Sequence, residues 1–478
     1  MRTLVLLLTS ILVLSPLTAD AQDGRAGLEA AAKALGATGL KSIEIQGGGT
    51  MFQVGQSYTA GTAWPQFNVR SFTRLVNYET ASLRDEILRT RALEPPKGGG
   101  PYVRGEHKLV FVLGGDHAWN VTGETATPAP IALADRQFQL WSTPHGIVKA
   151  ALAGNGNLQG RTITFGVPGR FKATATLDTA SLVERVEATM ENPVLGDMAV
   201  TVSYADYRDF GGVKFPTRIR QSYAGFPALE LTVTEVKPNA AADIAVPDAV
   251  RQASNPYARV QSQKAAEGVW YVTGGSHHSV VIEMKDHVIV VEGPLHDDRA
   301  LAVIKEARTL APSKPIKYLV VSHHHFDHAG GVRAFAGEGV TLITHEASRP
   351  YFEKALAAPA TVRPDHLARS GRKAAVEGVR DRRVLTDGTR TVEIRQIAGI
   401  QHADDMLMVY LPQEKFLIEA DAYTPPAPNT APMSPPSPFN VSLAENITKQ
   451  GLAVDQILPL HGRIVPLAEL HKAAGITP

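Results

Sequence analysis

The chain has 478 residues, and its 48 lysines and arginines balance its 47 aspartates and glutamates to a formal net charge of +1. This length corresponds to about two or three ordinary domains, and the balanced charge argues against nucleic acid as a partner. Cysteine is absent, which excludes disulfides, cysteine nucleophiles, thiolate metal ligands and iron–sulfur clusters.

The first residues have the pattern of a secretory signal peptide. Arg2 gives a positive start, an apolar run covers 4–14, and Ala19 and Ala21 form a small-x-small cleavage site. We expect residues 1–21 to be removed by cleavage near Ala21, which makes the mature chain periplasmic or secreted. No later apolar run reaches the roughly 18 residues of a membrane span, so we expect no stable membrane anchor.

Residues 22–255 are predicted to form a mainly antiparallel β domain. Helices are predicted at 25–35 and 131–140. Between them and after them lie short segments rich in β-branched residues and bounded by Gly, Pro, Asn and Asp, a composition typical of strands. Such segments cover 108–113, 161–165, 198–204 and 229–234.

Closely spaced strand segments continue through the middle of this half, at 175–179, 183–187, 204–209 and 215–219. Their rhythm resembles that of the periplasmic lipoprotein-carrier fold, over about residues 28–246. The resemblance implies a curved half-barrel of strands around a hydrophobic groove.

The pattern changes near Asn255 and Pro256, where we place the boundary to a second domain, residues 256–478. Of the 16 histidines, 13 lie beyond this point. Strand-like segments at 280–283 and 316–322 now alternate with a helix-like segment at 298–311. This alternation indicates helices packed over β-sheets.

A cluster of metal-binding residue types follows the apolar strand at 316–322. Because side chains alternate along an extended chain, the imidazoles of His323 and His325 should face one side, and that of His324 the other. Asp327 and His328 lie in the turn that follows. Neutral imidazole and carboxylate suit zinc, with iron or manganese as alternatives, and this set can serve two adjacent metals.

The motif H-x-H-x-D-H, followed by Gly330 and Gly331, resembles that of the metallo-β-lactamase superfamily from about Val269 to the C-terminus. The resemblance implies an α+β chain, with a C-terminal αββα sandwich behind the half-barrel-like domain. Matching segments further along are G-x-x-H at 399–402, a strand before Asp421, and a strand before His461. The implied first metal site is formed by His323, His325 and His402, the second by Asp327, His328 and His461, with Asp421 as the bridge.

The resemblance implies an exported dinuclear zinc hydrolase with two zinc ions per chain. A hydroxide held between the metals would attack an ester, thioester, lactone or lactam. Asp327 would orient this nucleophile and accept its proton, while Tyr423 is either a catalytic phenol for the developing oxyanion or a packed aromatic. Glu292 is expected to support a ligand histidine. The turn 274–278 either contacts substrate or is a plain turn.

Three alternatives stay open. β-Lactamase activity proper is one, although Thr424 stands where those enzymes carry a substrate-binding lysine. A glyoxalase-II-like or sulfur-dioxygenase-like enzyme with iron is the second, and a non-catalytic envelope ligand-binding protein is the third. The proline-rich segment 424–439 either forms a surface excursion or walls the cleft, and a wall favours an apolar or bulky small-molecule substrate.

Overall fold

The computed structural model describes residues 17–167, 170–253 and 259–476. The predicted domain boundary at Asn255 and Pro256, and residues 1–16 of the predicted signal peptide, lie outside the described residues. Among the helices that are described, the chain contains none with the length and hydropathy of a membrane span.

The N-terminal half is built on one 13-stranded sheet in which all neighbouring strands are antiparallel. The strand order is β6-β5-β4-β3-β2-β1-β13-β12-β11-β10-β9-β8-β7, so the first and the last strand of this half pair in the middle of the sheet. The strands are β1 (Ser42–Phe52), β2 (Gln66–Asn77), β3 (Ser82–Arg91), β4 (His107–Gly114), β5 (His117–Thr122), β6 (Thr125–Pro128), β7 (Gly156–Gln159), β8 (Thr162–Val167), β9 (Phe171–Leu177), β10 (Val183–Asn192), β11 (Gly196–Phe210), β12 (Val213–Tyr223) and β13 (Phe226–Pro238).

Helices pack on this sheet and close its core. These are α1 (Leu17–Leu35), α2 (Leu133–Trp141) and α3 (Pro144–Ala150), with a 3₁₀ turn at Pro130–Ala132 and a π-helical turn at Ala151–Asn155. Leu35 of α1 and Phe138 of α2 share one apolar cluster with Phe171 of β9. The predicted helices at 25–35 and 131–140 thus correspond to α1 and α2, with different starting residues. The lipoprotein-carrier resemblance of this half stays a prediction.

After the short helix α4 (Asp248–Arg251), the C-terminal half contains two further sheets. The seven-stranded sheet has the order β14 (Gln261–Ala266), β15 (Val269–Thr273), β16 (Ser279–Glu283), β17 (Val288–Val291), β18 (Ile316–Val320), β19 (Thr341–His345) and β20 (Ala375–Val379). The six-stranded sheet has the order β21 (Arg382–Thr386), β22 (Thr391–Gln396), β23 (Leu407–Leu411), β24 (Phe416–Glu419), β25 (Gln456–Pro459) and β26 (Val465–Pro466).

These elements form four layers, helix–sheet–sheet–helix. Phe335 lies in the apolar cluster between the helices and the outer face of the seven-stranded sheet. The two sheets face each other through Ile289 and Val409, and Leu443 belongs to the layer behind the six-stranded sheet. The helices are α5 (Asp297–Leu310), α6 (Phe326–Ala329), α7 (Val332–Gly337), α8 (Arg349–Ala357), α9 (His366–Ser370), α10 (Pro438–Lys449) and α11 (Leu467–Ala473), with a 3₁₀ turn at Glu346–Ser348.

Candidate metal centre

The predicted metal ligands lie just beyond strand ends at one edge of the four-layer domain. β18 ends shortly before His323, and α6 then carries Asp327 and His328. In the other sheet, β24 and β25 end shortly before Asp421 and His461. Because β18 is parallel to β17, and β25 to β24, the carboxyl ends of these strands bring their loops together.

The two glycines after this motif are required for close packing. A Cβ atom on Gly330 would lie 2.0 Å from the carbonyl oxygen of Leu295, and one on Gly331 would lie 2.5 Å from the Cβ of Ala300. Their φ angles of −63° and −100° are accessible to any residue. The glycines therefore let the ligand-bearing turn approach α5 and the segment that precedes it, rather than supplying a left-handed conformation.

One group of side chains able to hold a metal consists of His323, His325, His402 and Asp421, with one ligand atom of each within 4.8 Å of the others. Nε2 of His402 lies 3.2 Å from Nε2 of His323 and 3.0 Å from Oδ2 of Asp421. All three histidines are fully buried.

A second group consists of His277, His328 and His461. Nε2 of His461 lies 3.1 Å from Nε2 of His328. Oδ1 of Asp421 lies 3.1 Å from Nε2 of His328 and 2.9 Å from Nε2 of His461. Asp421 thus contacts histidines of both groups, in the place between them where the bridge was predicted.

His277 is a member of this centre that sequence reasoning did not assign. It lies in the turn before β16, and its Nε2 is 3.4 Å from Oδ2 of Asp327. Asp327, the predicted third ligand of the second site, lies beside the second group rather than within it. In the sequence, the only indication of this role is the pair His277-His278 in a predicted turn. A turn that contacts substrate has the same pattern, so the pattern alone does not assign His277 to a metal centre.

Each of four histidines has its outer ring nitrogen held by a fixed partner, which directs the other nitrogen toward the centre. The partners are Ser322 Oγ for His323 Nδ1 at 2.9 Å, Ser57 O for His325 Nε2 at 2.9 Å, Glu292 Oε2 for His328 Nδ1 at 3.1 Å, and Ser276 O for His461 Nδ1 at 2.8 Å.

Glu292 supports two of these ligands at once. It accepts from Nδ1 of His328 and from the hydroxyl of Ser322, which in turn contacts His323. Glu292 is fully buried and has a φ of 74°, a left-handed conformation that costs energy for a residue with a side chain. The structure therefore places Glu292 in the supporting position that the sequence predicts.

His324 points away from both groups, as alternation along the chain predicts. Its Nδ1 donates to Oδ1 of Asp405 at 2.9 Å, so its Nε2 is free to accept from the hydroxyl of Ser57 at 2.9 Å. Ser348 also donates to Asp405. This fully buried carboxylate thus ties the histidine motif to the loop that carries His402.

The electrostatics differ between the two groups of side chains. Burial, reinforced by neighbouring imidazoles, holds the pKa of His323 and of His325 well below the usual range. Burial also opposes protonation of His328, but Asp421 and Asp327 outweigh it and raise the pKa of that imidazole. Burial would raise the pKa of Asp421, yet the surrounding histidines hold it well below its ordinary value.

These side chains fit a metal. Nδ1 of His325, the ring nitrogen not held by Ser57, is buried and has no hydrogen-bond partner among the described residues. In the first group two imidazole nitrogens approach to 3.2 Å in a site where burial disfavours the protonated form. Neutral imidazoles and a carboxylate converging in this way are the ligand set that divalent zinc, iron or manganese binds.

Tyr423 lies in a packed environment. It is fully buried in the apolar cluster that contains Phe439 and Leu443. Burial raises the pKa of its phenol to about 12. Among the described residues, no contact joins this phenol to either histidine group. These surroundings are those of a packed aromatic, which was one of the two alternatives that the sequence left open for Tyr423.

The proline-rich segment 424–439 leads from the centre into α10. Its residues are largely exposed as far as Pro436. Phe439 lies in α10 and packs its ring against His402, with centroids 5.3 Å apart. The end of the segment therefore contacts a predicted ligand, while its role as a cleft wall stays a prediction.

Comparison with known proteins agrees with this arrangement. Residues 272–466 match the family model described as the metallo-beta-lactamase superfamily, which confirms the resemblance predicted for the second half of the chain. A search of the curated proteins gives no match.

Several solved structures are similar to part of the chain. A metallo-beta-lactamase from Pontibacter korlensis has 17% identity and a TM-score of 0.36, covering 46% of this chain and 98% of its own. The DIM-1 metallo-beta-lactamase has 17% identity and a TM-score of 0.35, covering 45% and 96%. FIM-1 from Pseudomonas aeruginosa, in its mono-zinc form, has 18% identity and a TM-score of 0.34, covering 45% and 94%.

Proposed function

We propose that the chain is an exported hydrolase that holds two zinc ions and cleaves a carboxylic ester, thioester, lactone or lactam. The observation that carries this proposal is the position of Asp421, whose oxygens lie within 3.1 Å of ring nitrogens from both histidine groups. A carboxylate shared between two neighbouring ligand groups suits a pair of cations, because its charge offsets their mutual repulsion.

Divalent metals in these groups would polarise a carbonyl oxygen of the substrate and acidify an attacking water. Orienting the attacking water and accepting its proton are roles for side chains of the protein itself. Asp327 has a side chain that is 33% exposed, and it is oriented by Gln56 on one oxygen and His277 on the other. This carboxylate can therefore orient a water molecule at the surface of the centre and accept its proton.

Metal analysis of the purified chain, together with chromogenic esters, thioesters, lactones and cephalosporins, tests the proposal. We expect about two zinc ions per chain and hydrolysis of at least one substrate class. About one iron per chain with oxygen-dependent turnover would favour the dioxygenase-like alternative. A folded chain that binds no metal would favour the non-catalytic one.

A matched pair of histidine variants separates loss of the metal centre from the general effect of replacing a histidine by alanine. His461→Ala removes a member of the second group, while His471→Ala changes a histidine of α11 that belongs to neither group. We expect the first variant to lose metal and nearly all hydrolysis and the second to retain both. Equal loss in the two variants would contradict the assignment of this centre.

Mass spectrometry of the mature N-terminus tests the proposed export, with cleavage expected near Ala21.

A further inference from the structure

The segment between β1 and β2 extends from the middle of the N-terminal sheet to the metal centre of the other half. β1 ends at Phe52 and β2 begins at Gln66, and we call residues 53–59 of this connection the 53–59 segment. Within it, Gly55, Gln56 and Ser57 contact the histidine motif. Gly55, Gln56 and Ser57 within it are buried.

The backbone of the 53–59 segment contacts both ligand-bearing loops. The amide of Phe326, the residue between His325 and Asp327, donates to the carbonyl of Gly55 at 3.1 Å. The amide of Asp404, in the loop that carries His402, donates to the carbonyl of Tyr58 at 2.9 Å. The segment thus connects two loops of the four-layer domain that come from different sheets.

Its side chains reach the predicted ligands themselves. Nε2 of Gln56 donates to Oδ1 of Asp327 at 2.7 Å. The carbonyl of Ser57 accepts from Nε2 of His325 at 2.9 Å, which leaves Nδ1 of that ring for the first group. The hydroxyl of Ser57 contacts Nε2 of His324 at 2.9 Å. Two adjacent residues of the segment therefore make three polar contacts with the histidine motif.

A second loop holds the 53–59 segment in place. The amide of Gly99 donates to the carbonyl of Gln56 at 2.8 Å, and the amide of Gly98 donates to the carbonyl of Gln401 at 2.9 Å. Gly98 has a φ of 72°, and a Cβ there would lie 2.7 Å from the carbonyl oxygen of Gln56. The glycines at 98–100 therefore let their loop pack closely against the backbone of Gln56. Through the amide of Gly98, the same loop also bonds to the loop that carries His402.

We propose that the N-terminal half completes the metal centre, with Gln56 as a positioning residue for Asp327 and Ser57 as one for His325. The inference rests on the proposed function, because it assigns these contacts to a working metal centre. Without Gln56, the partly exposed carboxylate of Asp327 would keep, among the described residues, only the 3.4 Å contact to His277 and could rotate away. Partners that orient metal-site side chains typically change metal affinity or activity by about 10- to 100-fold when removed.

Gln56→Met in the full-length zinc-loaded chain tests the proposal, since methionine has nearly the same length and cannot donate a hydrogen bond. Gln53→Met is the matched control, because Gln53 is the same residue type in the same connection and contacts no predicted ligand among the described residues. We expect Gln56→Met to lower kcat by about 10- to 100-fold with KM changed less than about threefold, and to weaken binding of the second zinc. Gln53→Met should behave like the unmodified chain.

The readouts separate this inference from the proposed function. Zinc affinity, measured by competition with a chromophoric chelator, needs no turnover and reports positioning even if the substrate panel gives no hydrolysis. A full-length chain that binds no zinc overturns the proposed function. A chain that binds two zinc ions and hydrolyses substrate, while Gln56→Met matches Gln53→Met in kcat and zinc affinity, overturns the positioning role alone.

Gln56→Glu provides a second variant in case Gln56→Met fails to fold, as judged by circular dichroism of the metal-free protein. It keeps the size and polarity of the side chain but places a carboxylate against Asp327. We expect it to lower kcat and zinc affinity at least as much as Gln56→Met, because its carboxylate cannot donate to Oδ1 of Asp327 and repels it. Full kcat with unchanged zinc affinity would contradict direct contact between the two side chains.

Discussion

At the scale of single residues, neighbouring histidines of the motif have opposite roles. His325 turns one ring nitrogen to the first group, while His324 is held by Asp405 and the hydroxyl of Ser57. Both are buried, so exposure does not distinguish them. Their hydrogen-bond partners distinguish them, because a ring nitrogen that already has a carboxylate partner is not available to a metal.

The first prediction therefore contrasts these two residues. His325→Ala should lose the first metal and hydrolysis, because it removes a ring nitrogen of that group. His324→Ala should keep its metal but unfold at a lower temperature, because Asp405 would lose a buried partner. Metal analysis after dialysis and thermal unfolding measure the two effects. Equal metal loss in both variants would show that the orientation of the motif is wrong.

A second prediction concerns the charge of Asp421. Asp421→Asn keeps the shape and removes the negative charge that faces His328, His402 and His461. The second metal should bind at least about 10-fold more weakly, and activity should recover partly in excess zinc by mass action. Zinc titration followed by activity and by metal content measures this. Two tightly bound metals with full activity would exclude Asp421 as the bridge.

The predicted ligands follow from a local motif and from strand ends, and the structure brings them together. His277 and Gln56 could not be identified in the same way. Each reaches Asp327 from a distant part of the chain, Gln56 from the N-terminal sheet and His277 from the turn before β16. A glutamine in a loop has no spacing pattern that links it to a carboxylate, so only the folded arrangement reveals the contact.

At the scale of elements, the turn after the motif depends on two close approaches. Gly330→Ala should lower the free energy of unfolding by about 1–3 kcal/mol and weaken metal binding, because the new methyl would overlap the backbone of Leu295. Gly39→Ala is the matched control, since a Cβ there meets no atom within 4 Å. Urea unfolding of both variants measures the difference. A Gly330→Ala chain as stable as Gly39→Ala would contradict the packing described for this turn.

The contact between α1 and α3 gives a prediction about pH. His145 of α3 is fully buried and contacts the carbonyl of Leu35 at the end of α1 at 3.1 Å. Burial lowers its pKa to about 4, and Lys149 acts in the same direction. The unfolded chain, with an ordinary pKa near 6.5, takes up a proton between these values while the folded chain does not. Stability should therefore fall as the pH drops from about 6.5 to about 4, by on the order of 1 kcal/mol per pH unit.

His145→Gln isolates this effect, since glutamine can still donate to the Leu35 carbonyl but does not titrate in this range. Urea unfolding at pH 7.5 and at pH 5 should show a smaller loss of stability in the variant than in the unmodified chain. The histidines of the metal centre are common to both proteins, so the difference reports His145. An identical pH dependence would show that His145 titrates normally in the folded chain.

The type of most elements followed from the sequence, but the sheet order did not. Segments such as 198–204 lie within longer strands, here β11 (Gly196–Phe210), because pairing with long neighbours extends a strand beyond its most β-branched part. The pairing of β1 with β13 joins residues almost two hundred positions apart. Local patterns predict strands and turns, whereas such long-range pairing depends on how the whole sheet closes.

At the scale of the whole molecule, the two halves meet through specific contacts. Asp197 at the start of β11 accepts from the amide and the hydroxyl of Thr361, at 2.8 and 2.6 Å. Near the metal centre, the ring of Trp64 packs on that of Phe326, with centroids 6.5 Å apart. Val194 of the N-terminal half also lies in the same apolar cluster as Phe335 of the other half, so the two cores are joined there, and the two-domain organisation stays a prediction. The polar contacts to the ligand loops make the centre dependent on both halves.

The last prediction tests this dependence through backbone amides that cross between the halves. The amides of Phe326 and Asp404 donate to the 53–59 segment, and the amide of Gly98 donates to the loop of His402. Bound metals should hold the ligand loops in place and suppress their local opening. Chelation should therefore raise the rate of hydrogen exchange at these amides by at least about 10-fold. Amides between β10 and β11, deep in the N-terminal sheet, serve as the internal reference.

Exchange measured by mass spectrometry, with and without chelator, distinguishes three results. Faster exchange at the crossing amides alone would show that the metal centre and the N-terminal half are coupled. Equal acceleration in the reference strands would instead mean that chelation destabilises the entire chain. Faster exchange at 323–328 without any change at Gly98 or Gly99 would show that the ligand loops respond to metal independently of the N-terminal half, and would contradict a centre shared by the two halves.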